Sequence, residues 1–283
     1  MKCSRLALAL AILSVSLAAR SAEPRSESER IIDAWGSIKL KSQKLDVALS
    51  ARSAKLSGRF ELEALKDASK AVFPFALPGG NEGDAATVTC DGKQLPAIPH
   101  LMPKLRPKDK RSPRDIPFPW KRHRRDAAAL RRAQELRNAL QTWFGILHGV
   151  GMGSPYRWQA HDIAMPKGRK STITANAELR PMQLADHAKH GPCYAFRIPI
   201  RLGRLWARPA GKLNVTVSLD KDVDPEDVIL VRPSQTKRDG RKIALSFDGQ
   251  LPAEDLIVVL KGKLPKEEKA MEVEPRAKKH LRK

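Results

Sequence analysis

The side chains best suited to chemistry are three histidines: His161, beside Asp162, and the pair His187 and His190 in the phrase DHAKH. Neutral imidazole is a ligand for zinc and related metals, and two rings three residues apart share a face on a helical turn, where Asp162 or Asp186 would complete a set. Two histidines at one local spacing also describe an ordinary exposed loop. His161, His187 and His190 are therefore the candidates for a metal-dependent alternative, while the principal reading has no metal and no cofactor. The sequence contains no GxSxG elbow and no HExxH. GVGMGS at residues 149–154 is glycine-rich, but it follows a helical pattern and lacks the Lys-Ser/Thr ending of a phosphate loop. Asp, Glu, Ser and Lys are too numerous for a catalytic pair to be chosen without geometry. No catalytic residue is assigned, and the principal reading is non-enzymatic.

Charge is the stronger signal. The chain of 283 residues carries 53 Lys and Arg against 31 Asp and Glu, a formal net charge of +22. The density peaks at residues 104–125, with ten Lys or Arg against two Asp, and ends in KRHRR. Lys121, Arg122, Arg124 and Arg125 are the candidate polyanion-binding residues, with Trp120 and Trp143 able in principle to stack on a base or sugar. The cluster precedes the adjoining helical pattern and does not lie on its face, and Arg131, Arg132 and Arg137 are offset by Glu135. That arrangement argues against sequence-specific nucleic-acid recognition and for adhesion by charge.

Which polyanion is available depends on location. The N-terminus places Lys2 and Arg5 before an apolar run from Leu6 to Ala19, then small residues and the charged EPRSESER. This is the tripartite form of a secretory signal peptide. The run is shorter than the roughly 20 residues of a membrane span, so the mature chain is expected to have no transmembrane anchor. Cleavage after Ser21 would remove Lys2, Arg5 and Arg20 and no acid, taking the formal charge from +22 to +19. The expected compartment is periplasmic or extracellular, and the expected partners are anionic envelope polymers or a membrane surface. Cys3 would leave with the signal, and Cys90 and Cys193 would remain in an oxidising compartment. A bridge between them closes a loop of about 100 residues, for which chain entropy gives roughly 4–5 kcal/mol. Two small buried thiols are the alternative.

The elements that must position these groups are mostly strands. SIKLKS, KLDVALSAR and AKLSGRFELEA alternate; in the last, Leu56, Gly58, Phe60 and Leu62 share one face and Ser57, Arg59, Glu61 and Glu63 the other. AVFPFALPGG follows, with Pro74 demoting it to an edge or strand end, and in ATVTCDGKQL the pair Asp91-Gly92 makes a hairpin turn. Five prolines between residues 103 and 119 break regular structure. A helix begins at Asp126 as N-cap, with Leu130, Ala133, Leu136, Leu140, Trp143 and Leu147 on one stripe. STITANAEL, CYAFRIPIRL, KLNVTVSL, DVILVRP, KIALSFDG and DLIVVLKG are further strands, with a turn at Asp239-Gly240. The expected order is a signal peptide at 1–21, an N-terminal β region at 22–99, a basic Pro-rich connector at 100–125, an inserted amphipathic helix at 126–150, a C-terminal β region at 151–261 and a charged disordered tail at 262–283. The fold class is mainly β, an antiparallel sandwich-like architecture with that helix inserted.

These segments carry a resemblance. The succession GSIKLKSQKLDVALSARSAKLSGRFELEALKDASKAVFPFALPGG, TCDGKQL, YAFRIPIRLGRLWARPAGKLNVTVSL and DLIVVLK is similar to an uncharacterised family of secreted bacterial proteins. That family has a strand pair ending in a phrase like FPLP, a dGk turn and a later strand leading into a Trp-Gly-Pro type turn. Trp206, Pro209 and Gly211 fit the last, Arg208 stands where glycine belongs, and the basic connector with its helix is an addition. The resemblance implies export and β architecture and transfers no site. The processing expectation is open to direct measurement: the intact mass of the exported protein should begin at Ala22, and a soluble cytoplasmic product that keeps residues 1–21 would overturn it.

Overall fold

The computed structural model describes residues 26–78, 86–98, 127–148, 156–184, 190–249, 252 and 254–263. The expected signal peptide, the cluster Lys121, Arg122, Arg124 and Arg125, the cap at Asp126, His187 and the charged tail beyond residue 263 lie outside them.

The fold is mainly β. Helix α1 (Glu27–Gly36) precedes β1 (Ile38–Leu49), β2 (Ala54–Ala64), β3 (Ala68–Pro78), β4 (Thr87–Cys90) and β5 (Lys93–Gln94). After α2 (Ala127–His148) come β6 (Tyr156–Met165), β7 (Lys170–Leu179), β8 (Met182–Gln183), β9 (Cys193–Ile198), β10 (Lys212–Leu219), β11 (Val228–Arg232), β12 (Lys237–Asp239), β13 (Lys242–Asp248) and β14 (Leu256–Lys261). They form an eight-stranded sheet in the order β12-β13-β10-β1-β2-β7-β4-β5, a four-stranded sheet β11-β14-β9-β8 and the pair β3-β6. Strands from both sides of α2 thus share the large sheet. Among the described strands every strand-to-strand pairing is antiparallel except β1 with β10.

The alternation read in β2 is realised, with Leu56, Phe60 and Leu62 buried on one face. Aromatic contacts join the layers: Phe60 of the large sheet meets Phe73 of β3 edge-on at 5.1 Å, and Phe73 stacks on Trp206 at 6.1 Å. Asp91-Gly92 makes the expected tight turn, both residues having positive φ (51° and 81°) between paired Cys90 and Lys93. Pro74 sits in β3 of the two-stranded β3-β6 sheet, a strand paired on one side only in that sheet. The run CYAFRIPIRL is only partly strand: β9 ends at Ile198, before Pro199.

Helix α2 follows the sequence expectation. Leu130, Ala133, Leu136 and Leu140 are buried, as is Ala139, while the side chains of Trp143 and Leu147 lie outside those described. The stripe packs against α1, which the sequence reading did not anticipate. Ser26 caps α1 by accepting from the Glu29 N–H, and the Glu29 carboxylate accepts from the Ser26 N–H. Trp35, wholly buried, donates its indole N–H to the Val72 carbonyl at 2.7 Å and pins α1 to β3. No described helix is long and apolar enough to cross a membrane.

The expected Cys90–Cys193 bridge is absent. Cys90 ends β4 near one edge of the large sheet, and its thiol donates to Asp91; Cys193 opens β9 in the four-stranded sheet, and its thiol donates to the Gly191 carbonyl. The two cysteines belong to different sheets and are not joined to each other.

SIKLKS and KLDVALSAR are one strand with a change of phase. A bulge at Lys41, between paired Leu40 and Ser42, turns the inward set from Ile38 and Leu40 to Leu45, Val47 and Leu49. The same shift carries Gln43 into the core, fully buried, with neither end of its amide hydrogen-bonded among the described residues. An unsatisfied buried polar group costs about 1–3 kcal/mol, and Met reproduces the shape of Gln without it. Gln43→Met is expected to raise the unfolding free energy by roughly that amount in a denaturant titration; a loss of stability would show that the amide is satisfied in the folded protein.

Candidate functional site

His161 is not a metal ligand in waiting. It lies in β6 at 1% exposure, and its Nδ1 faces the carbonyls of Leu95 and Pro96 at 3.1 Å each. Two acceptors require that Nδ1 carry the proton, so Nε2 accepts from the Gln159 amide at 2.9 Å. Gln159 in turn donates to the Ala86 carbonyl and accepts from the Ala86 N–H. The two side chains clamp residues 86–96 onto β6, and both ring nitrogens are engaged. Asp162, the expected carboxylate partner, pairs with Arg132 of α2. His190 is half-exposed in the turn before β9. Among the described residues no three His, Cys, Asp or Glu side chains come together as a metal site.

Burial pushes His161 below its ordinary value of 6.5, against the pull of the Leu95 and Pro96 carbonyls and the Asp162 charge. The unfolded chain therefore takes up a proton that the folded protein resists. The contribution of His161 is complete above pH 6.5 and is lost as pH falls below it. The unfolding free-energy difference between wild type and His161→Gln is expected to be largest near about pH 8 and to shrink toward about pH 5; a difference constant with pH would refute the clamp.

Among the described residues, two places are suited to engaging a ligand. The first is the solvent face of the large sheet. Thr216, Asp46, Ser57 and Asn176 stand in one register row across β10, β1, β2 and β7, with Ser218, Ala48, Lys55 and Glu178 in the next. Between them lies an open trough of about 620 Å³. Its polar lining is short hydroxyl and amide groups, which donate and accept, together with two carboxylates and one ammonium.

The second is a buried ion cluster where β9 leaves the four-stranded sheet. Asp255, 3% exposed at the head of β14, accepts from Arg201 Nε at 3.1 Å and from the Arg201 backbone N–H at 3.3 Å. Arg197 Nε stands 4.0 Å from the other carboxylate oxygen. Burial pushes the Asp255 carboxyl up to about 7, against the pull of the Arg201 and Ile200 N–H groups. Burial, followed by the charge of Arg197, pushes Arg201 down to about 10. Removing one partner of such a pair leaves an uncompensated buried charge, a loss of about 3–5 kcal/mol. Neither the trough nor this cluster was singled out as a site in the sequence. The visible signal was the spacing of Arg197, Arg201, Arg204 and Arg208, by fours and threes.

The chain is thus a mainly β protein with a polar sheet face and a buried arginine–carboxylate anchor. No family model and no curated protein matches it. Among solved structures it is similar to a candidate nutrient-binding protein of Legionella pneumophila, with 13% identity and a TM-score of 0.44, covering 80% of this chain and 68% of that one. It is also similar to the M1 zinc metallopeptidase of Deinococcus radiodurans, with 8% identity, a TM-score of 0.36 and coverage of 80% and 42%. Yeast LTA4 hydrolase is similar at 10% identity and a TM-score of 0.40, with coverage of 89% and 32%. The chain spans under half the length of the peptidase and about a third of the hydrolase.

Proposed function

We propose that this is an exported, non-enzymatic binding protein of the envelope or extracellular space that holds an anionic, hydroxyl-bearing polymer along the solvent face of its large sheet. The observation that carries the reading is the open polar trough in that face. A volume of about 620 Å³ accommodates a few units of an extended chain. Hydroxyls and amides such as Ser57, Asn176, Thr216 and Ser218 suit the neutral, hydroxyl-bearing part of such a ligand, while Asp46 and Glu178 outnumber Lys55 in the lining and leave its anionic groups to the basic residues outside the trough. The formal charge, +22 for the full chain and +19 after cleavage behind Ser21, supplies the long-range attraction to a polyanion, and Lys121, Arg122, Arg124 and Arg125 add sequence-independent contacts. The metal-dependent alternative built on His161, His187 and His190 has less support, because both ring nitrogens of His161 are spent inside the protein.

The test is a titration with a sulfated polysaccharide over a range of salt. The logarithm of affinity should fall linearly with the logarithm of salt concentration, and neutralising Lys121, Arg122, Arg124 and Arg125 should flatten that line. Ser57→Leu with Asn176→Leu should weaken binding by about tenfold or more while leaving the slope in place, as loss of neutral hydrogen bonds requires. An affinity indifferent to salt and to both variants would remove the proposal.

A further inference from the structure

Arginines 197, 201, 204 and 208 gather where β9 hands the chain to β10. The link includes a 3-10 turn, Arg201–Leu205, in which side chains three apart eclipse, so Arg201 and Arg204 share a face. The turn is held firmly. Leu202, Leu205 and Trp206 are buried, Trp206 stacks on Phe73, and Asp255 grips Arg201 through both backbone and side chain. Just beyond, the Ala207 N–H donates to the Ile38 carbonyl and the Gly211 N–H to the Leu40 carbonyl, so the segment bearing Arg208 is stitched to β1.

Within this frame the positive charges are unevenly answered. Arg201 has Asp255. Arg204 is half-buried, and among the described residues neither it nor Arg208 makes a hydrogen bond or ion pair. Burial, then the charges of Arg208 and Arg201, hold Arg204 below the usual arginine range. A guanidinium kept partly out of water, beside like charges and on a braced backbone, differs from a solvated surface cation. It gains when an anion arrives, and little ordering remains to be done. The planar fork of arginine also matches an oxyanion edge by two parallel N–H···O bonds, as a lysine cannot.

We infer that Arg204 and Arg208, backed by Arg201, form a binding site for a tetrahedral oxyanion, a phosphate or sulfate group borne by the anionic polymer. Occupation by a polymer rests on the function proposed above; the oxyanion site itself does not. Asp255 is a positioning residue: it accepts from the backbone and side chain of Arg201 and fixes the turn, leaving the donors of Arg204 and Arg208 for the ligand.

The test has two arms on the full exported chain. In the first, linear polyphosphate and a sulfated heparin fragment are titrated against wild type, Arg204→Gln/Arg208→Gln and Arg204→Lys over a range of salt. The double variant is expected to lose affinity about tenfold or more and to flatten the log–log salt slope by about one for each arginine replaced. Arg204→Lys should keep the slope and still bind more weakly, because the charge remains and the fork does not. Preference for one polymer tells phosphate from sulfate. In the second arm, inorganic phosphate and sulfate are titrated against wild type while the Arg204 and Arg208 side-chain Nε–Hε signals are followed by NMR, which requires no variant to fold. Saturable shifts of those two signals support the site. If wild type binds a polymer but the double variant binds it unchanged and the signals stay still, the site is overturned and the proposed function survives. If neither polymer binds but the signals shift, the polymer reading falls and the oxyanion site stands.

Discussion

The parallel pairing of β1 with β10 is the constraint to which the rest of the fold answers. It runs over eight positions, from Ser42 opposite Lys212 to Leu49 opposite Leu219, and joins strands separated by most of the chain. Parallel neighbours cannot be joined by a tight turn, so the intervening chain must cross over the sheet. Here the crossing includes β3, β6 and β9, and these strands supply the layers that cover the inner face through Phe73, Phe75 and Phe196. A one-residue slip would turn Leu45, Val47 and Leu49 out to water. The bulge at Lys41 sets the phase, and Gly211 locks it: the Gly211 N–H donates to the Leu40 carbonyl, and a Cβ there would lie 1.6 Å from the Lys41 carbonyl oxygen. Only glycine can bring β10 to its place beside the bulge.

The buried polar groups serve the same long-range organisation. His161 and Gln159 fasten residues 86–96 to β6, Trp35 fastens α1 to β3, and Asp255 fastens the turn after β9 to the head of β14. Each of these bonds links segments far apart in sequence, where no regular backbone ladder is available to set the geometry. Since His161 is held below its ordinary range and Asp255 above it, their protonation pulls stability in opposite directions with pH. Between these two groups the pH dependences oppose one another in mild acid.

What the sequence disclosed was local. Alternation in β2, the turn at Asp91-Gly92 and the apolar stripe of α2 each depend on neighbours a few residues away, and each could be read. Helix α1 carried a readable Ser26–Glu29 capping box, but the charges around it read as the flank of a signal peptide. The phase flip at Lys41 made one strand look like two, and β6 went unread because YRWQAHDIAM buries polar residues such as His161. Partners were not legible at all: β3 pairs with β6 across α2, and β4 with β7. The candidate site divides in the same way. The type of His161 suggested a metal, whereas its fate is set by Gln159 and two carbonyls from another segment. Of the arginines at residues 197–208, Arg197 and Arg201 sat in what read as a continuous strand, which Pro199 breaks, and Arg208 in what resembled a Trp-Gly-Pro type turn.

The two borders of the large sheet have a bearing on how the molecules behave toward one another. One border is β12, whose Lys237, Arg238 and Asp239 are all exposed; the other is β5, two residues long, with Lys93 and Gln94 exposed. A long apolar border would recruit a strand from a second copy and so begin a fibril. These borders offer two or three residues of ladder beneath charged and polar side chains, a poor template for stacking, so copies crowded together gain little by extending one another's large sheets.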